Sequence, residues 1–303
     1  MDKHTIKVTN KNYPNTIQLG DIENWRDWEL PKIDLLMGGS PCQGFSFAGK
    51  CLNFDDPRSR LFFDYVNVLN HVKPKYFLLE NVKMKKEYQD IISEYLGVQP
   101  IEINSSLVSA QNRVRLYWTN IPNVDVPNDK GLTWKDVADD SIKLNKYLYT
   151  EKSLSWLKEQ GYIRDNKHKD HTDGKQQDKK TGRYFNEITL KEVNQSVAAM
   201  RGRYINGTKG KTAQFIEFRK DGKTNCLTTV QKDNVVVPFT HHEKVLAENY
   251  IYRYMTPKEY ERLQTVPENY TDSVSDTQRF KMLGNGWTVE VIAHILNYIN
   301  KVK

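Results

Sequence analysis

The stretch at residues 38–46 holds the side chains best suited to chemistry. It reads Gly-Gly-Ser-Pro-Cys-Gln-Gly-Phe-Ser and follows residues 33–37, an apolar run that predicts a buried strand. Glycines and a proline force a tight turn there, with Cys42 at its apex. Open α/β sheets place their chemistry at this end of a parallel strand, and a following helix N-terminus favours the thiolate, so Cys42 is a candidate nucleophile. The alternative is a small residue packed in a loop, because a single cysteine is a weak signal.

A carboxylic acid ends the next apolar run. Residues 76–79 are uncharged and predict a buried parallel strand, and Glu80 follows them directly. A partly desolvated carboxylic acid near the Cys42 loop can act as a proton donor. The alternative is a capping role for the helix predicted over residues 83–96.

Two arginines alternate with apolar residues in the segment Gln-Asn-Arg-Val-Arg at residues 111–115. This segment predicts a strand paired antiparallel with residues 100–108 at the sheet edge. Arg113 and Arg115 then point to one face, because strand side chains alternate. An exposed basic face of an edge strand is the alternative.

The order and spacing of four motifs resemble the cytosine carbon-5 DNA methyltransferase family. They are Pro-Cys-Gln-Gly, Glu-Asn-Val, Gln-Asn-Arg-Val-Arg and, late in the chain, Gly-Asn-Gly at residues 284–286. Four ordered motifs are far more specific than one. The resemblance covers most of residues 1–122 and 251–303. It implies an α/β fold with a Rossmann-like methyltransferase sheet in residues 1–122, a smaller target-recognition region in residues 123–250, and a return to the catalytic domain in residues 251–303.

The resemblance also implies roles for individual residues. Cys42 would attack carbon 6 of a cytosine while Glu80 protonates N3, Arg113 would reach the O2 of the base, and Arg115 would support the site. The implied cofactor is S-adenosylmethionine, and the positions that match the family's contacts to it are Asp21, Ile22, Pro41, Leu61 and Asn285. For Asp21 a helix N-cap is the alternative.

Basic loops in the middle of the chain suit a polyanionic partner. Residues 201–220 hold six Lys or Arg and one acidic residue. Contacts to phosphates and base edges are expected from Arg201, Arg203, Lys209 and Lys211, and Gln43 and Ser46 are placed beside the opened base. A solvated charged surface is the alternative. Residues 165–182 have no apolar side chain and predict a mobile loop.

Composition narrows the class of protein. The chain has 303 residues, 38% hydrophobic and 27% charged, and a net charge of +7, which fits double-stranded DNA but is also compatible with mere solubility. No apolar run is long enough to span a membrane, and the N-terminus has no apolar signal core. Three cysteines without a Cys-x-x-Cys pair argue against disulfides and a metal cluster. A monomer in the cytoplasm, bacterial or phage-encoded, is expected.

The start of the sequence departs from the family. The glycine-rich cofactor loop expected ahead of Asp21 is not found, so an N-terminally truncated sheet is expected, with a short strand at residues 16–19 that lacks its neighbour. We therefore expect weak binding of S-adenosylmethionine by this chain alone, with a complementing N-terminal chain as a possible partner. The alternatives are an impaired fragment or split-enzyme half that binds DNA, and a transfer-RNA cytosine-5 methyltransferase.

Local patterns predict the remaining elements. Helices are expected over residues 3–13, along the apolar stripe that begins at Leu61, and over residues 289–299. Thr256 is expected to cap a further helix, with a proline at the first turn and Glu259 completing a capping box. Residues 226–230 are expected to form a threonine-rich strand.

Overall fold

The chain forms two compact units. The computed structural model describes residues 2–40, 60–139, 150, 152, 155, 159, 175–177, 184–186, 194–204, 212–217, 219, 221–239 and 253–301. Unit 1 comprises Met1–Val108, Arg113–Lys130 and Trp287–Lys303. Unit 2 comprises Ser109–Asn112 and Gly131–Gly286.

Unit 1 is built on a four-stranded sheet in the order β1-β2-β4-β3. The strands are β1 (Leu35–Gly39), β2 (Tyr76–Val82), β3 (Ile101–Asn104) and β4 (Val114–Thr119). β1 runs parallel to β2, whereas β4 is antiparallel to both β2 and β3. The predicted parallel strand at β2 and the predicted antiparallel pair at the sheet edge are both confirmed.

Helices cover both faces of this sheet, which explains the uncharged sequence at the start of β2. Phe77 and Leu79 lie in one core with α2 (Arg60–Val72) and α3 (Lys86–Leu96). Tyr76 and Leu78 lie in a second core with the last helix, α7 (Val289–Asn297). A strand buried on both faces reads as a continuous apolar run.

The N-terminal segment contains one confirmed helix and one wrong prediction. Helix α1 (Lys3–Asn12) begins after Asp2, whose carboxylate caps it by accepting from the backbone N–H of His4 at 2.9 Å. Residues 16–19 form no strand, and Ile17 is 81% exposed. No strand within the described part of the chain pairs with these residues, and a lone extended segment has no ladder hydrogen bonds to stabilise it.

Unit 2 contains a second sheet, in the order β10-β9-β7-β8, and all of its strand pairs are antiparallel. Its strands are β7 (Asn194–Tyr204), β8 (Thr212–Glu217), β9 (Asn234–Phe239) and β10 (Arg253–Tyr254). A separate two-stranded ribbon joins β5 (Lys175–Gln177) to β6 (Tyr184–Asn186). The mobile loop predicted over residues 165–182 otherwise lies outside the described residues.

Among the described residues, unit 2 also contains the helices α4 (Trp134–Val137), α5 (Pro257–Leu263) and α6 (Asp276–Asn285). The predicted capping box at the start of α5 is confirmed, since Thr256 accepts from the N–H of Glu259 at 3.2 Å and Glu259 accepts from the N–H of Thr256 at 2.8 Å. Glu259 is fully buried and also binds both terminal nitrogens of Arg253, at 2.8 and 2.7 Å. Breaking such a buried pair leaves an uncompensated charge.

The strand predicted over residues 226–230 is wrong. This segment is irregular, and the neighbouring Thr224 forms an isolated parallel bridge with Gln111. Its backbone instead approaches helix α6 closely at Gly284. The threonines favour a strand locally, but the backbone conformation follows from packing against the helix.

Gly284 yields a stability prediction. A Cβ added at this position would lie 2.6 Å from the backbone nitrogen of Thr229, closer than non-bonded atoms approach. Alanine favours helices by about 1 kcal/mol over glycine, but the collision is with backbone that cannot rotate away. We expect Gly284→Ala to destabilise the protein by about 1–3 kcal/mol, measured by denaturant unfolding. Gly97→Ala is no suitable control because its φ is +70°. Glu94→Ala, at an exposed position of helix α3, serves instead.

None of the helices within the described residues is long and apolar enough to cross a membrane.

Candidate active site

The carboxyl ends of the two parallel strands of unit 1 meet at Gly39 and Glu80, which are paired in the β1–β2 register. Directly after Gly39, the hydroxyl of Ser40 accepts from the side-chain amide of Asn81 at 2.9 Å. Asn81 is 1% exposed, so the hydrogen bond is protected from water. The chain therefore leaves β1 at a fixed point beside Glu80. The next candidate residues in the sequence are Pro41, Cys42, Gln43 and Ser46, and they lie outside the described residues.

Glu80 is held by two donors, one on each carboxylate oxygen. Arg115 donates its Nε to Oε1 at 2.9 Å, and the indole Nε1 of Trp287 donates to Oε2 at 3.2 Å. The side chains of Glu80 and Arg115 are 12% and 14% exposed. The strand pairing explains the ion pair: Tyr117 is directly opposite Glu80, and Arg115 lies two residues away on the same face.

Arg113 is positioned through its backbone. Its N–H donates to the side-chain oxygen of Asn104 at 2.9 Å, and its carbonyl accepts from the N–H of Ser105 at 2.9 Å. Arg113 is 3% exposed and lies just before β4, so the alternative of an exposed basic edge does not hold for it.

The pKa of Tyr117 depends on its burial and on the charged side chains around it. Burial raises the pKa of Tyr117 well above its usual range, and the Glu80 carboxylate raises it further. Arg115 and then Arg113 lower the pKa in the opposite direction. Tyr117 therefore stays neutral at physiological pH.

Comparisons with known proteins show which family the chain belongs to. The model of the C-5 cytosine-specific DNA methylase family matches residues 1–301. The chain belongs to this family. It is 28% identical to the type II methyltransferase M1.ScrFI of Lactococcus lactis subsp. cremoris, over 96% of this chain and 68% of that protein. It is 27% identical to the type II methyltransferase M.HpaII of Haemophilus parainfluenzae, over 96% of this chain and 78% of that protein.

A solved structure supports the fold of this methylase-family chain. The Entamoeba histolytica methyltransferase EhMeth superposes with a TM-score of 0.66, covering 100% of this chain and 88% of that one at 18% identity. The predicted α/β methyltransferase fold is thereby confirmed, as is the predicted family.

The residues that match the family's cofactor contacts are placed as follows. Asp21 is exposed, and its carboxylate accepts from the N–H of Glu23 at 3.2 Å, so the helix N-cap proposed as its alternative role is observed. Ile22 and Leu61 are half-buried in unit 1. Asn285 is exposed and is the last residue of α6, in unit 2, rather than part of a loop. Pro41 is not among the described residues.

Of the expected DNA contacts, Arg201 has a described side chain. Its guanidinium donates to the carbonyls of Met200, Asp233 and Cys226 at 3.3, 3.4 and 3.1 Å. These bonds hold neighbouring segments of unit 2 together, which is a structural role. Arg203 lies in β7, whereas Lys209 and Lys211 lie outside the described residues. Within the described ranges, no group of three His, Cys, Asp or Glu side chains could hold a metal ion.

Two residues, one in each unit, have contacts that the sequence did not predict. Trp287 directly follows the Gly-Asn-Gly motif, and this position in the sequence is the one signal that could have identified it. Gln111 is fully buried in unit 2, where its amide donates to the carbonyl of Leu263 at 3.2 Å and its oxygen accepts from the N–H of Leu227 at 2.9 Å. No local pattern marks such a long-range bond.

Proposed function

We propose that this chain transfers a methyl group to carbon 5 of a cytosine in double-stranded DNA, with Cys42 as nucleophile and Glu80 as proton donor. The observation that carries the proposal is the pairing of Gly39 with Glu80 at the carboxyl ends of β1 and β2. Cys42 is three residues beyond Gly39. Three residues of chain span at most about 11 Å between Cα atoms. The length of the chain therefore limits how far the Cys42 thiol can lie from the carboxyl group of Glu80.

The chemistry of cytosine explains why both groups are needed. Carbon 6 becomes electrophilic when N3 accepts a proton, which Glu80 would donate. The Cys42 thiolate then forms a bond to carbon 6, and the electron pair of the carbon 5–carbon 6 double bond makes carbon 5 nucleophilic. After carbon 5 has been methylated, its proton is lost to solvent and the Cys42 sulfur departs as the double bond re-forms. N3 then returns its proton to Glu80.

The residues present fit S-adenosylmethionine. The exposed carboxylate of Asp21 can accept from the amine of an adenine, and the half-buried side chains of Ile22 and Leu61 offer apolar surface for its ring. Pro41 and Asn285 are the remaining positions that match the family's contacts to the cofactor. When bound, this cofactor supplies the methyl group.

The target base must leave the helix, because carbon 6 cannot be reached in a stacked duplex. Flipping costs a few kcal/mol. Contacts to phosphates from Arg203, Lys209 and Lys211, within the region proposed for target recognition at residues 123–250, would offset this cost. Gln43 and Ser46 are proposed to lie beside the space that the base vacates. The net charge of +7 supports a polyanionic substrate.

Transfer of labelled methyl from S-adenosylmethionine to mixed-sequence duplex DNA tests this function. We expect digestion of the product to release labelled 5-methylcytosine. A parallel reaction on bulk transfer RNA should stay at background, and transfer to RNA alone would move the assignment to RNA modification. If neither nucleic acid is labelled while the protein is folded, the proposed activity of this chain is wrong.

A further inference from the structure

We propose that Trp287 is a positioning residue for the methyl-transfer reaction, and that its indole N–H holds the Glu80 carboxyl group in the orientation needed to reach N3 of cytosine. This inference rests on the proposed function. Trp287 is 207 residues away from Glu80 in the chain, yet its Nε1 lies 3.2 Å from Oε2. It is part of no motif that carries the resemblance to the family.

Strand geometry puts Glu80 on the face where Trp287 lies. Tyr76 and Leu78 alternate with the residues that face α2 and α3, so Glu80 shares their face. That face is covered by α7, and Trp287 packs against the same core immediately before this helix begins. The indole thus reaches the carboxylate from the covering layer, whereas Arg115 reaches it from within the sheet.

The position of Trp287 is fixed by a buried hydrogen bond at the next residue. The hydroxyl of Thr288 lies 2.8 Å from that of Ser105, and each of these residues is 1% exposed. The N–H of Ser105 in turn donates to the carbonyl of Arg113. A continuous chain of hydrogen bonds therefore connects the residue after Trp287 with the arginine that is expected to meet the base.

Gly39 has no side chain, and this leaves space for the hydrogen bond between Trp287 and Glu80. A Cβ at this position would lie 3.2 Å from Oε2 of Glu80 and 3.3 Å from Nε1 of Trp287. Both distances are shorter than ordinary van der Waals contact, so a larger residue would displace one of the two partners. Gly39 is paired with Glu80 and has no side chain, and the indole N–H of Trp287 donates to Oε2 of Glu80 in the space that this leaves.

Two donors on different oxygens restrict the carboxyl group more than one donor does. With Arg115 alone, the group can rotate about its last side-chain bond while keeping one contact. Proton transfer requires hydrogen-bond geometry between donor and acceptor atoms. Removing the indole N–H should therefore slow the chemical step without weakening the binding of either substrate.

Trp287→Phe tests the inference, because it keeps an aromatic ring against the core and removes the N–H donor. In single-turnover methyl transfer we expect the rate to fall about tenfold, with unchanged KM values for DNA and cofactor and an unchanged melting temperature. The same substitution in a Glu80→Gln background should change the rate less than twofold, because the group it positions is already disabled. A tenfold loss in both backgrounds, or no loss in either, would overturn the proposal.

A second measurement needs no activity and separates this inference from the proposed function. In protein labelled with ¹⁵N-tryptophan, Trp287→Phe identifies the indole N–H signal of Trp287. We expect Glu80→Gln to shift this signal and speed its exchange with solvent while the other indole signals stay in place. Identical signals in wild type and Glu80→Gln would refute the hydrogen bond even if the enzyme is active, and a shift in an inactive chain would leave the contact standing while the proposed function fails.

Discussion

Cys42→Ser is expected to abolish methyl transfer while leaving DNA binding intact. The thiolate is the nucleophile in the proposed reaction, and a serine hydroxyl does not ionise near neutral pH, so no bond to carbon 6 can form. Single-turnover transfer of labelled methyl measures the first effect, and an electrophoretic shift of duplex DNA measures the second.

The covalent step can be examined directly with the same variant. In DNA carrying 5-fluorocytosine, the substituent at carbon 5 cannot leave as a proton, so the bond from sulfur to carbon 6 persists. Wild-type protein should then remain attached to the DNA under denaturing conditions, and Cys42→Ser should not. Cys226→Ser is the matched control, because it removes a half-buried thiol of unit 2. Turnover by Cys42→Ser would exclude Cys42 as the nucleophile.

Glu80→Gln should slow methyl transfer by about 10²-fold or more, the usual scale for a lost general acid. The amide has nearly the same size as the carboxyl group but cannot give a proton to N3. It also offers only one acceptor oxygen to the two donors that face it, Arg115 and Trp287. The substitution should lower the rate of the chemical step and leave the binding of cofactor and DNA unchanged.

A charge-matched control is available on the edge strand β3. Glu102 pairs with Lys83 at 2.8 Å, and its side chain is 46% exposed. Exposed pairs contribute little to stability, so Glu102→Gln should leave both activity and folding near wild type. A rate for Glu80→Gln within twofold of wild type would reduce Glu80 to a structural partner of Arg115.

Patterns that depend on neighbouring residues were predicted well. The capping box at Thr256 and Glu259 follows from hydrogen bonds within one helical turn. The buried strand β2 follows from an apolar run flanked by helical stripes. Each of these features has its physical cause within a few residues, so the sequence carries the full information.

The two wrong strand predictions failed for one reason. Residues 16–19 and 226–230 have strand-like composition, but neither meets a partner strand over its length in the described structure. A strand is stabilised by its ladder, and the ladder is set by other parts of the chain. Local propensity cannot supply it.

The sequence by itself determined the family, through four motifs in order, and the identity of the candidate thiol and acid. Only the tertiary structure decided which groups surround that acid. Arg115 comes to Glu80 through an antiparallel register, and Trp287 through the packing of the last helix, while Arg201 donates to carbonyls of unit 2 rather than remaining free for a partner. Such contacts join residues far apart in the chain, and they follow from strand order and core packing rather than from local pattern.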